Sequence, residues 1–455
     1  MINTIMLKKN FFISALMLFT LSMIFTSCFK NEEDDIFDKS AADRLEESVK
    51  TYSDILCAQG GKWAMEYVAN EDEPGYVYLM DFKSDGSVTI TGDNKWIAKL
   101  TNPSSNDPEY ASEISMWQVI TDNGPVLSFN TYNRIFHLFA DPEDVPDNTQ
   151  DDPDETGYGH SGDYEFDIMK YQNDTLFLEG KKYELPILMY RVDASVSNED
   201  YFAHIRDMIN STKSARFPDL LLTGSNGRNY IVNNINSMVV SFYPELGDPV
   251  IETVTANAIA TREGFRFINP LTLLDSAATQ QLTIQHFALQ EDGSFLCTDD
   301  GVSRITSFPL GTVFAGRSYN WRIDKNALGG VFATAYQAVV DGVKQQFKKN
   351  FTYFDFHYDA KTSNSYVFYF NSANTIGSFY MKQANFNGNQ CKFEFTGECD
   401  NNASVYSQRV PAFTDFVSLL SSTTFNVEAT SVFNPVRLIF TSTTNAEDYF
   451  TVDLK

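Results

Sequence analysis

Positive charge is scarce in this chain. Lysine and arginine number 34 against 60 acidic residues, for a net charge of −26 over 455 residues. A field of that sign repels phosphate backbones and anionic membrane surfaces, which excludes nucleic acid as a partner. Cysteine is also sparse. Apart from Cys28 there are only Cys57, Cys297, Cys391 and Cys399, too few for a disulfide framework in a chain of this size. Gly397 permits a reversal just before Cys399, but on a straight strand Cys391 and Cys399 lie too far apart to bond, so four free thiols are expected. The five histidines, His137, His160, His204, His286 and His357, are scattered. Without an H-E-x-x-H or a close Cys/His set they suggest no zinc site. There is no P-loop and no G-x-S-x-G elbow.

Two apparent motifs also fall away. Residues 157–162 match G-x-G-x-x-G letter for letter, but an acidic loop precedes them and an alternating strand pattern follows. A dinucleotide site needs a strand before the glycines and a helix after them, so no cofactor is expected. The loop from Asp141 to Glu155 gathers eight carboxylates, the chemistry of a calcium site. It lacks the D-x-D-x-D-G spacing of one, and Pro142, Pro146 and Pro153 suit a solvated excursion. No metal is expected there.

Long apolar runs are missing after the first 25 residues. The one that exists, Phe11 to Phe25, follows Lys8 and Lys9 and leads through Thr26 and Ser27 to Cys28. A basic start, a short apolar segment and small residues before a cleavage point describe a secretory leader rather than a spanning helix. The cysteine directly after the small residues resembles a bacterial lipoprotein signal, which implies lipidation of Cys28 and removal of residues 1–27. The loss of two lysines takes the net charge to −28. Lys30, then Glu32, Glu33, Asp34 and Asp35, resemble the surface-export signal of Bacteroidetes lipoproteins. The expected location is the outer membrane, lipid-anchored and facing the exterior.

What the chain has in quantity is aromatic side chains, 14% of residues and mostly Phe and Tyr, a composition that favours strands. Ser40 followed by Asp43 forms a helix cap, and Ala41, Leu45, Val49, Tyr52 and Leu56 recur on one helical face up to Gly60 and Gly61. The period then falls to two. Tyr78, Met80 and Phe82 alternate, Ser84, Asp85 and Gly86 turn, and Val88 and Ile90 resume. Further strands are expected at 116–120, 126–129, 135–139, 164–169 and 175–178. A second helix opens at Ser197, with Tyr201, Phe202, Ile205, Met208 and Ile209 on one face. A third runs from Val331 to Lys348, with Phe332, Tyr336, Val339, Val343 and Phe347 as its stripe and Gly342 as its weak point; a short helical piece follows near 413–420.

The reading is a mainly β chain with a few helices (α+β). Tandem antiparallel β-barrel or sandwich modules, lipocalin-like in the order of Trp63, Asp-Gly hairpin and repeated strands, each follow an amphipathic helix. The divisions are a leader at 1–27, an acidic linker at 28–39, and modules at 40–195, 196–325 and 326–455. Two lobes would satisfy the same pattern.

The run from Ile36 to Leu45 behind the lipoprotein cysteine, the stretch Gly61 to Tyr67 around Trp63, and Gly162 to Phe166 resemble the Bacteroidetes lipoproteins grouped as domain-of-unknown-function family 4302. The resemblance implies no chemistry and no catalytic residues. It implies a nutrient-capture setting, beside paired outer-membrane transporter and capture-lipoprotein genes. Within the aromatic segment 351–370, one face of each strand suits a core. The opposite face, with Tyr353, Asp355 and Tyr369, is the expected ligand surface for a glycan or peptide, because rings stack on sugars and tyrosine adds a hydroxyl. The function expected is non-catalytic nutrient capture. A surface hydrolase with a carboxylate pair split in sequence is the alternative, as is an adhesin or scaffold.

Overall fold

The computed structural model describes residues 39–455, except 103, 106, 141–159, 245–252, 275–280 and 361–363. The leader, Cys28 and its acidic neighbours, the acidic loop and Gly157–Gly159 lie outside the described residues. Mainly β structure is built as three antiparallel sheets: one of nine strands that curls into a half barrel, and two closed eight-stranded barrels.

The first helix, Ala41–Cys57, starts where sequence reading places it. The Asp43 amide donates to Ser40 Oγ at 3.2 Å, and the Ser40 hydroxyl donates to the Asp43 carboxylate at 2.8 Å. Leu56 is its one fully buried residue; Val49, Tyr52 and Ile55 pack against the core beside it. The chain turns into the first strand, Lys62–Tyr67, at Gly61. Its φ is +73°, and a Cβ there would stand 2.1 Å from the Phe82 carbonyl oxygen, so only glycine fits. The indole of Trp63 then donates back to the Leu56 carbonyl at 2.9 Å, which ties helix to strand. The third barrel repeats this device. Trp321 opens its first strand, Trp321–Leu328, and donates to the Phe314 carbonyl at 3.1 Å, at the end of the short helix Leu310–Phe314.

The nine strands run in the order 4-3-2-1-9-8-7-6-5. The two edge strands, Glu109–Met116 and Gln118–Thr121, are separated only by Trp117, so the sheet bends round until its edges are neighbours in sequence. Trp117 is held there by its indole N–H on the Ser87 carbonyl (3.0 Å) and by its ring edge-on to Phe82. The hairpin from Tyr76–Phe82 to Ser87–Asn94 pairs as expected, with Phe82 opposite Val88 and Gly86 in the turn.

One expected strand is not a strand. Residues 135–139 end in a 3-10 turn, His137–Phe139. The Asn133 side chain accepts the Phe136 amide at 3.1 Å and its carbonyl accepts the His137 amide at 2.8 Å, so the backbone is captured by a local turn. Ile135, Phe136, Leu138 and Phe139 are all buried, which in sequence looks the same as a core strand. The helix Asn198–Ser211 follows, with Ser197 accepting the Asp200 amide at 3.0 Å, and buries Tyr201, Phe202, Ile205 and Met208.

In the third barrel the long helix Gly330–Phe347 follows the first strand, and the helices Asn401–Arg409 and Ala412–Ser422 enter before the last three strands. Gly342 has a packing reason. A Cβ there would come within 2.4 Å of Val410 Cγ1, so the absence of a side chain lets the helix meet the Asn401–Arg409 end closely. The barrel interior is filled with phenylalanine. Phe356, Phe393, Phe440 and Phe450 stack across it, and Phe354 lies against Phe416 of the last helix at 4.9 Å. Cys391 is fully buried, and Cys57, Cys297 and Cys399 are also free thiols.

The first sheet and second barrel share one core, while the third barrel has its own. Across the shared boundary Arg266 pairs with Glu66, both nearly fully buried. Asn257 donates to the Glu71 carbonyl at 2.8 Å, and Gly75 bridges to Ile259. Removing one partner of a buried pair strands the other charge at a cost of about 3–5 kcal/mol, whereas an apolar pair of similar volume is near neutral. Glu66→Gln should therefore lower stability by roughly that amount, and Glu66→Leu with Arg266→Met should recover most of it. Urea unfolding checks this; a single variant that unfolds like the wild type contradicts it.

Candidate functional site

The segment that sequence reading selects forms a single cluster on the outside of the third barrel. The strand Phe351–Asp359 lies between Trp321–Leu328 and Ser365–Ser372. Its register places Arg322 opposite Asp355, and Asp355 opposite Tyr369. Strand alternation sends Phe354 and Phe356 inward and Tyr353, Asp355 and His357 outward.

The geometry is that of a closed electrostatic knot. Arg322 grips Asp355 with two parallel bonds, Nε to Oδ1 and a terminal nitrogen to Oδ2, both 2.8 Å. Tyr369 donates its hydroxyl to Oδ2 at 2.8 Å. The guanidinium lies 3.3 Å from the centre of the Tyr353 ring, a cation–π stack. The His357 ring meets Tyr369 edge-on at 4.4 Å. Burial, reinforced by the Asp355 charge, holds the Tyr369 phenol well above its ordinary range, so it stays a donor. Asp355 raises the Arg322 pKa further still.

Tyr353, Asp355 and Tyr369 thus do come together, but Asp355 is 0% exposed and its oxygens are engaged. What the cluster offers a ligand is partly exposed ring surface and the outer edge of Arg322, 32% exposed. The arrangement suits contact and stacking. Sequence reading misses Arg322 and His357 as members. Arg322 has a local signal, since alternation from buried Trp321 turns it outward; its pairing with Asp355 spans the intervening helix and has none. Among the described residues no group of three or more His, Cys, Asp or Glu side chains could hold a metal ion.

His357 carries a pH signature. Its Nδ1 is buried without a hydrogen-bond partner. Burial lowers its pKa below 6.5, against the opposing pull of Asp359 and Asp355. Between that lowered value and the ordinary one the unfolded chain binds more proton than the folded chain, so stability falls as pH drops through this window. His357→Asn should show a smaller loss of urea resistance between pH about 7.5 and about 5.5 than the wild type. An equal loss in both contradicts the assignment.

Three solved structures match the chain with low scores. The DNA polymerase III beta chain from Streptococcus pneumoniae TIGR4 matches at 10% identity over 86% of this chain and 90% of that one, with a TM-score of 0.12. The beta subunit from DNA polymerase of Streptococcus pyogenes matches at 11% over 89% and 97%, with a TM-score of 0.12. Intact Ap-TbpB (N and C lobes) matches at 8% over 86% and 75%, with a TM-score of 0.13. Scores this low carry no argument about fold or function. No curated protein matches the chain. The family comparison is decisive. Residues 33–286, which take in the first sheet and most of the second barrel, match a single family, and the chain belongs to that family, described as Domain of unknown function (DUF4302).

Proposed function

We propose that the chain is a surface-exposed outer-membrane lipoprotein of Bacteroidetes type that captures nutrient beside an outer-membrane transporter and does not transform it. The observation that carries this reading is the stretch Thr26, Ser27 and Cys28 at the end of the apolar run, followed by Lys30 and four acids. The small residues and cysteine supply a lipid attachment point, and the acids keep the tether solvated. The capture setting that the family resemblance implies fits the same placement.

Capture without turnover is supported by how the buried acids are used. Asp355 is held by Arg322 and Tyr369, Glu66 by Arg266, and Glu73 by His160 at 2.5 Å. Each serves as an acceptor in a fixed network. The outer face around Tyr353 and Tyr369 presents rings and a guanidinium edge to a glycan or peptide.

Two variants test the placement. Cys28→Ala removes the lipid site, and the chain should leave the outer-membrane fraction while keeping its thermal stability, because anchoring needs several acyl chains acting together. Replacing Lys30, Glu32, Glu33, Asp34 and Asp35 with alanine should leave the chain membrane-bound but shield it from protease added to intact cells. Cys28→Ala protein that stays in the membrane fraction, or a linker variant cleaved as fast as wild type, defeats this placement.

A further inference from the structure

The strongest unassigned feature lies between the two modules that share a core. A cleft of about 590 Å³ opens where the first sheet, the helix Asn198–Ser211 and the turn Ile235–Ser237 of the second barrel meet. That volume falls within the roughly 300–1,000 Å³ of small-molecule sites, which favour junctions between modules. All of its walls lie within the family-matched residues 33–286.

Its chemistry is two-sided. Phe202, Ile205 and Ile209 from the helix face Tyr76 and Met238 from the two modules, and together they line an apolar body. At one wall stands Asp93, with a side chain only 2% exposed. Its Oδ2 is taken by Arg206, but its Oδ1 is buried without any hydrogen-bond partner. A carboxylate oxygen left in that condition is costly unless a donor reaches it. For a donor to reach Oδ1, Arg206, which is 39% exposed, has to give way while holding Oδ2. The rim carries Lys95, whose ammonium lies over the Trp96 ring at 4.8 Å, and the exposed Lys213, with Asp107 as the acid on the same rim. In a chain of net charge −26, two such lysines over one cleft make a local anion site.

We infer that this cleft binds short peptides with apolar side chains. The peptide's ammonium fits Asp93 Oδ1, its side chains fit the Phe202, Ile205 and Ile209 wall, and its carboxylate fits Lys95 and Lys213. The aliphatic part of the lining, Ile205, Ile209 and Met238 beside the rings of Phe202 and Tyr76, suits aliphatic side chains. The inference deepens the capture reading by naming a ligand class. Binding by purified protein and placement on the cell are separate measurements, so either can fail alone.

The test is calorimetric titration of the purified chain with tri-leucine, its N-acetylated form, its C-amidated form and maltotriose. Tri-leucine should bind at one site, N-acetylation should weaken it by about tenfold or more, and maltotriose should not compete. Asp93→Asn should weaken tri-leucine to a similar degree and cancel most of the further effect of N-acetylation. Lys213→Ala, at an exposed position, should weaken tri-leucine but leave the amidated peptide unchanged. If Asp93→Asn fails to fold, the N-acetyl and amide comparisons on the wild type and Lys213→Ala still decide. No binding of tri-leucine, equal affinity for the N-acetylated peptide, or displacement by maltotriose overturns the inference.

Discussion

The buried pair of Glu66 and Arg266 is the contact on which the arrangement of the first two modules depends. Glu66 lies on the first strand of the first sheet and Arg266 on the fifth strand of the second barrel. A buried guanidinium and carboxylate tolerate little displacement, because each is the other's chief compensation for lost water. Around them the two sheets pool their apolar side chains into one core. The sheet, the helix Asn198–Ser211 and the barrel are therefore fixed relative to one another. The cleft between them is a consequence of that fixation.

Among the described residues the barrel interiors are filled largely by aromatic side chains. In the third, rings from all eight strands and from the helices Gly330–Phe347 and Ala412–Ser422 meet at centroid separations such as 4.7 Å for Phe354 with Phe368 and 4.8 Å for Phe440 with Phe450. The second is closed by Phe265 stacked on Phe287 at 4.9 Å, with Phe295 edge-on at 5.0 Å. Aromatic cores of this kind stabilise through area and ring geometry and exclude water. The surfaces left open to contact are outer faces and junctions. The outer face of the third barrel and the cleft between modules are such places, and they differ in kind. On the outer face Asp355 has all its partners, whereas in the cleft Asp93 lacks one.

Much of the fold was legible because its signals are local. The Ser40 and Ser197 caps, the Asp85-Gly86 hairpin and the stripe from Phe332 to Phe347 each depend on residues within a few positions of one another. The failure at 135–139 is also local, but the deciding residue, Asn133, lies outside the apolar run and acts through its side chain. The helix Asn401–Arg409 escaped notice because only Ala403 and Tyr406 are buried and the rest is polar. The outer face was half legible. Alternation grouped Tyr353 with Asp355, but the partner Arg322 is 33 residues away across an inserted helix. The cleft was not legible at all. Asp93 and Arg206 are 113 residues apart, and no periodicity links them. An unpaired buried oxygen is a property of three-dimensional packing, and no sequence pattern encodes it.

The central claim is that the junction between the two core-sharing modules holds a peptide ligand. A crystal structure of the protein grown with tri-leucine tests it most directly. The account predicts peptide density in the cleft, with the amino end on Asp93 and the carboxylate toward Lys213. Density on the Tyr353 and Tyr369 face, with the cleft empty, would contradict it.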